Sequence, residues 1–365
     1  MYYIKSSILL KQMVFLFVLT SVSGFGQHLN RSIDSLISAQ FTDSNGPGGV
    51  FVVYREGKAV YQKVIGKANL ELDVDMNSDN VFQLGSMTKQ FTAVSILMLS
   101  EQNKLNVSDS ISKYISDYPN GNKITIHHLL THTSGIKDYT KMKRLKEIAT
   151  TEMSPKMLVD FFKDEPVDSL PGEKYQYNNS GYVLLGYIIE IVSGQSYQEF
   201  IETNIFKKLG MTNSFYAPDR SVIKNKAYGY SKDDDGYVNK SVISYSIPYS
   251  SGSLMSNVSD MLIWQNALNN YTILTKESTK KLFSNYSLNN GTPIEYGYGW
   301  KIKELSGTPT REHGGSIFGY KTMGVYVPKY NLYVLGFSNC DCNSPTLLTQ
   351  NIAKLWIEYL NTEQR

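Results

Sequence analysis

Two clusters of strand-like sequence, one near each end of the chain, constrain the fold more than any other feature. GGVFVVYREGKAVYQKVIG (48–66) reads as two β-rich runs about a turn at Arg55-Glu56-Gly57-Lys58. TREHGG (310–315), GYKTMGVYVP (319–328) and NLYVLGFSN (331–339) are likewise short, β-rich and turn-bounded. The text between is mostly helical, with apolar periodicity over 86–102, 125–132, 155–163, 180–193, 197–208 and 257–269. Leu29, Ile33, Leu36, Ile37 and Phe41 share one face of an initial helix, and an amphipathic helix is predicted from Leu347 to Leu360. Strands at both ends imply one shared sheet. The expectation is an α+β domain: an antiparallel sheet built from both chain ends, flanked by terminal helices, with a mostly helical insertion and a cleft between the two. The sheet part is expected at about 27–83 and 291–365 and the helical part at about 84–290, with SKDDDGYVNK (231–240) as a surface loop.

Residues 1–26 carry Lys5 and Lys11, then the apolar run Met13 to Leu19, then small residues up to Gly26. That is the layout of a secretory signal peptide, so residues 27–365 are expected as an exported domain, periplasmic or secreted. No later stretch approaches the roughly 20 apolar residues of a membrane span. Without this segment the balance is 34 basic against 33 acidic residues, because 36 Lys and Arg lose two and 33 Asp and Glu lose none. Nucleic acid is therefore not an expected partner. The only cysteines, Cys340 and Cys342, are expected to play a local or incidental role, since a disulfide across one residue is constrained.

Chemistry first shows at LGSMTKQFTA (84–93), where Ser86 and Lys89 stand at i and i+3 of a buried helical run. Desolvation there lowers the lysine pKa, so that a neutral amine can take the Ser86 proton. The spacing alone is cheap: Ser-x-x-Lys recurs at Ser110, Ser134, Ser221 and Ser278. Only the Ser86 copy opens a long apolar helix. PGEKYQYNNSGYVLLG places Tyr177 and Asn179 just before another helix, where Tyr177 could relay protons and the Asn179 amide could hold Lys89 and a substrate carbonyl. Tyr-x-Asn also recurs, at Tyr118, Tyr237 and Tyr359. REHGGSIFGY contains His313-Gly314-Gly315, whose glycines let a ligand or backbone approach. An edge strand there could pair with an extended substrate, the Ser316 amide facing that of Ser86 as an oxyanion hole. His128 and His132 stand at i and i+4, but no Glu lies between them as in HExxH; helix packing is the expectation, and no metal site is predicted. The Gly-x-Ser-x-Gly elbow is absent.

In this order the three stretches resemble the serine β-lactamase and penicillin-binding-protein superfamily, in the branch of class C β-lactamases, D-alanyl-D-alanine carboxypeptidases and esterases. ITIHHLLTHTSGIKDY, the SSGSLMSNVSDMLIW run and YGYGW extend the likeness over roughly residues 30–360. It implies Ser86 as acylated nucleophile, Lys89 as general base, Tyr177 as proton relay, Asn179 as holder of substrate and lysine, and His313, Gly315 and Ser316 as substrate-binding positions. No cofactor is implied. The third motif departs from Lys-Thr-Gly: His313 supplies no permanent positive charge at neutral pH. Asn178 stands where Ser or Ala is more familiar. Three functions stay open: a serine hydrolase acting on a small-molecule or peptide amide or ester, plausibly a D-amino-acid peptide; a β-lactamase; and a catalytically silent binder of peptidoglycan fragments or a partner.

Overall fold

A computed structural model describes residues 27–216 and 221–363; the predicted signal segment lies outside them. Its centre is a six-stranded antiparallel sheet. The strands are β1 (Gly49–Arg55), β2 (Lys58–Ile65), β3 (Lys301–Leu305), β4 (Thr308–Ile317), β5 (Tyr320–Val327) and β6 (Leu332–Ser338), in the order β3-β4-β5-β6-β1-β2. Both chain ends thus meet in one sheet, β1 against β6 with Gly49 opposite Ser338 and Arg55 opposite Leu332.

The unbroken apolar run of β1 follows from burial on both faces. Phe51 and Val53 point one way, into a core with Ile33 and Ile37 of helix α1 (27–40) and with Ile352, Trp356 and Ile357 of the last helix, Pro345–Glu363. Val50, Val52 and Tyr54 point the other way, into the larger core shared with the helical part. At the centre of that part is α2 (Thr88–Glu101), buried at every position from Thr88 to Leu99. Trp264 stacks on its Phe91 at 4.2 Å between ring centres. The helix α3 (Asn179–Ser193) packs beside α2 and is capped by Asn178, whose side chain accepts the Gly181 N–H at 2.9 Å. This accounts for Asn178 at the second motif's middle position.

Two expectations are corrected. SKDDDGYVNK is not an irregular loop: Tyr230–Asp233 and Gly236–Asn239 pair as a hairpin turning at Asp234-Asp235. Cys340 and Cys342 are joined as a disulfide. The edge expected at the His313-Gly314-Gly315 stretch is present: β3 covers β4 only over Thr308–Glu312, and His313–Ile317 pairs only with β5. Among the described residues no helix is long and apolar enough to cross a membrane.

Candidate active site

Ser86 lies in a single 3-10 turn, Gly85–Met87, that feeds directly into α2. Gly85 has φ of 53°, the left-handed region in which glycine is unstrained. The uncovered half of β4 packs against this turn. A side chain on Gly315 would begin 1.9 Å from the Leu84 carbonyl oxygen, so only glycine lets the two backbones pass. Thr322 on β5 fastens them, its hydroxyl donating to the Leu84 carbonyl at 2.8 Å. One on Gly85 would begin 3.0 Å from the Ser316 amide nitrogen, which brings that amide against the Gly85–Ser86 backbone.

Lys89, on the first turn of α2, is completely buried. Its Nζ lies 3.1 Å from Ser86 Oγ, 2.8 Å from Asn179 Oδ1 and 2.9 Å from the Ser251 carbonyl oxygen. Burial pulls its pKa down from the ordinary lysine value to about 7, against an opposing pull from the Asp138 carboxylate. The partner set then decides direction. A neutral amine has two hydrogens and one lone pair, and two of the three neighbours are carbonyl oxygens that only accept. With both hydrogens engaged by Asn179 and Ser251, the lone pair faces the Ser86 hydroxyl.

Asn179 is oriented for this task. Its Nδ2 donates to Thr140 Oγ1 at 3.2 Å and to Asp138 Oδ2 at 3.4 Å, leaving Oδ1 toward Lys89. The Tyr177 ring lies under the ammonium position, with Lys89 Nζ 4.9 Å from its centre. Its hydroxyl is buried with no hydrogen-bond partner among the described residues. Burial pushes that phenol well above its usual pKa, and the nearby Ser86 hydroxyl partly offsets the push. The Tyr177 group is thus a neutral O–H at any working pH.

His313 is placed differently from the substrate-facing role expected of it. It is buried, with Nδ1 2.7 Å from the Gly314 carbonyl oxygen and Nε2 3.0 Å from the Tyr296 hydroxyl. The carbonyl can only accept, so Nδ1 carries the hydrogen and Nε2 accepts from Tyr296. Burial, with the Lys89 charge second, lowers the His313 pKa to about 3. This imidazole is neutral and committed on both nitrogens.

Several contributors were not assigned to the site from the sequence. His132 lies beyond its short helix, Ile126–Leu130, at φ of 59°, and so is not the helix-packing residue expected. Its Nδ1 accepts the Asn178 N–H at 3.1 Å, and its ring lies 4.3 Å from the Tyr177 ring centre. It is a neutral plate under the tyrosine. Asp138 and the Ser251 carbonyl are the others. Ser251 is delivered by the turn Tyr249–Gly252, which approaches α3 at Gly186, where a Cβ would begin 2.1 Å from Ser250 Oγ. None of these contacts has a spacing signature.

Ser86, Asn179, Ser251 and Ser316 open into a pocket of about 270 Å³ walled by Tyr139, Leu145, Ile243, Ile247, Ile317 and Phe318. No residue lining it is charged. Among the described residues, no group of three or more His, Cys, Asp or Glu side chains is placed to hold a metal.

A family model described as Beta-lactamase matches residues 33–354. Penicillin-binding protein 4* of Bacillus subtilis (strain 168) is 31% identical over 311 residues, which are 80% of this chain and 68% of that protein. The octameric penicillin-binding protein homologue from Pyrococcus abyssi is similar in structure at a TM-score of 0.77 and 28% identity, covering 90% of this chain and 77% of that one. The D-stereospecific amidohydrolase from Streptomyces sp. gives a TM-score of 0.77 at 25% identity, covering 89% and 98%. A match that begins in the first helix and ends in the last takes in the sheet, the helical part and the cleft together, and the chain belongs to the β-lactamase family of serine hydrolases, alongside the penicillin-binding proteins.

Proposed function

We propose that this protein is an exported serine hydrolase that cleaves a small amide or ester through an acyl-enzyme, with a D-amino-acid derivative as acyl donor. One observation carries the reading: a buried lysine with a pKa of about 7, its hydrogens engaged by two carbonyl oxygens and its lone pair toward the Ser86 hydroxyl 3.1 Å away. Ser86 Oγ adds to the substrate carbonyl carbon as its proton passes to Lys89 Nζ. The carbonyl oxygen, now negative, accepts from the amides of Ser86 and Ser316. Asn179 acts through Lys89: its Oδ1 accepts from Nζ while both Nδ2 hydrogens go to Thr140 and Asp138. The proton moves through the Tyr177 hydroxyl to the leaving nitrogen or oxygen, the bond to that atom breaks, and the acyl group remains as an ester on Ser86. Water, losing a proton to the same base, then releases the acid and restores the Ser86 hydroxyl.

The uncharged pocket beside Ser86 favours an acyl donor with an apolar side chain and a blocked amino group, because no carboxylate lines it to pair with a free ammonium. D-configuration is favoured by likeness to the D-stereospecific amidohydrolase. The N-terminal layout of residues 1–26 supports export. Incubation with a fluorophosphonate, followed by intact-mass and peptide mapping, should place one adduct on Ser86. Side-by-side turnover of N-acetyl-D-leucine and N-acetyl-L-leucine p-nitrophenyl esters should favour the D form. An unlabelled protein that turns over neither ester leaves only the silent binder.

A further inference from the structure

A groove of about 570 Å³ lies where the helix Lys276–Leu282 passes the first half of β4. That is within the roughly 300–1,000 Å³ of small-ligand sites, and the groove shares no lining residue with the Ser86 pocket. Its charged residues are Lys276, Lys280 and Arg311, and no Asp or Glu lines it. The neighbouring acids are committed elsewhere. Glu277 pairs with Lys281 at 3.5 Å, and Glu101 accepts the N–H and the hydroxyl of Thr275 at 2.9 and 2.6 Å. Glu312, next to Arg311 in β4, accepts from Gln350 Nε2 through both oxygens, at 3.0 and 2.9 Å. The groove is therefore cationic throughout.

Its polar groups are also unsatisfied. Arg311 is partly buried and stacks its guanidinium on Phe283, with Cζ 3.8 Å from the ring centre. Stacking uses only the flat face, whereas the donors lie in the plane, and among the described residues the side chain makes no hydrogen bond or ion pair. Burial lowers its pKa, opposed only by the phenols of Tyr326 and Tyr271. Lys276, Thr279 and Lys280 stand at i, i+3 and i+4, so they share one helix face. The two lysines make no ion pair among the described residues, although like charges at this spacing repel. Thr279 is buried between them, and its hydroxyl has no hydrogen-bond partner among the described residues. A desolvated guanidinium and a buried hydroxyl each cost stability until an acceptor meets them. One acceptor-rich anion answers both.

We infer that this groove binds the phosphate of a monoester carried on a flat ring. The planar fork of Arg311 pairs with two phosphate oxygens, the Thr279 hydroxyl donates to the anion, and Lys276 and Lys280 supply charge from the helix. A phosphate dianion answers three cations better than a single carboxylate does. The ring has its own surface: Tyr271, which lines the groove with Pro328, is 47% exposed. No nucleophile of the Ser86 site reaches this groove, so the monoester is bound there and not turned over.

The test titrates the unaltered chain with phenyl phosphate and, separately, with inorganic phosphate, by calorimetry at low salt and about pH 7.5, where the monoester is mainly a dianion. Phenyl phosphate should bind about three- to tenfold tighter than the free ion, the ring supplying the difference. Sodium chloride should weaken both. Lys276→Met combined with Lys280→Met should weaken phenyl phosphate by about three- to tenfold, and Thr279→Val by about two- to tenfold. Arg311→Met should cost about tenfold or more. Tm and ester turnover are measured alongside. The double lysine variant alters only exposed side chains and should keep both, so the test stands even if Arg311→Met fails to fold. No saturable binding of phenyl phosphate, unchanged affinity in the double lysine variant, or inorganic phosphate binding as tightly as the monoester overturns the assignment.

Discussion

Ser86–Lys89 and Ser134–Lys137 have the same spacing and the same two residue types, yet they are chemically opposite. At the first pair the backbone is a helical turn, the amine is buried, and its nearest neighbours are a hydroxyl and two carbonyls. At the second the backbone is an irregular loop, and Lys137 reaches outward to Asp168 at 2.9 Å with its side chain about a third exposed. Asp168 raises the Lys137 pKa, whereas burial lowers that of Lys89. A base is made by what surrounds the nitrogen. Three-residue spacing only allows a meeting, and only when the intervening backbone is helical.

The largest expected contrast is in activity. Lys89→Met should cut ester turnover by about 10²–10⁴-fold, the usual consequence of losing a general base, whereas Lys137→Met should leave kcat/KM near wild type. Comparable losses in both variants would erase the distinction. Gly315→Ala sharpens it from the other side. Its Cβ would start 1.9 Å from the Leu84 oxygen, so the turn carrying Ser86 must shift away from Lys89; a loss of about tenfold or more is expected, against a smaller one for Gly314→Ala, whose Cβ would start 3.1 Å from the Met323 sulfur and 3.2 Å from the Thr322 carbonyl oxygen. Steady-state kinetics on one ester substrate checks all four.

Acidity separates the two lysines next. With a pKa of about 7, Lys89 is a base only when unprotonated, so kcat/KM should rise with pH to a plateau above about 7. Asp138 raises that pKa, so Asp138→Asn should move the acidic limb to lower pH, and Asp168→Asn should leave it in place. An identical limb in both variants would remove Asp138 from the electrostatics. The smallest effect concerns stability. Because the folded pKa of Lys89 lies below its unfolded value of 10.5, the folded chain binds fewer protons between about pH 7 and 10.5, and stability rises across that window. Lys89→Met should therefore raise Tm most below pH 7, with the gain fading toward pH 10.5. A pH-independent change in Tm would mean that the buried charge is not its source.

Regular elements were legible where one periodicity dominated. The helix expected over 180–193 forms as Asn179–Ser193, and the strands expected at both ends pair in a common sheet. Legibility failed where a residue's role depends on distant neighbours. His132 looked like a partner of His128 on one helix face, but the helix ends at Leu130 and the ring turns under Tyr177. His313 looked like a substrate contact, but Tyr296 and its own Gly314 carbonyl occupy it. The hairpin at 230–239 was hidden by its Asp run, since exposed strands need no apolar alternation.

By itself the sequence determined the long regular elements, the sheet shared between chain ends, and Ser86 with Lys89 on one helical face, because these follow from local periodicity and from the alternation of apolar residues. Only the tertiary structure decided which lysine loses its charge. That outcome depends on excluding water from Nζ and on aiming Asn179 and the Ser251 carbonyl at it from segments 90 and 162 residues away. Desolvation is a property of the assembled core, and no short stretch of sequence contains it.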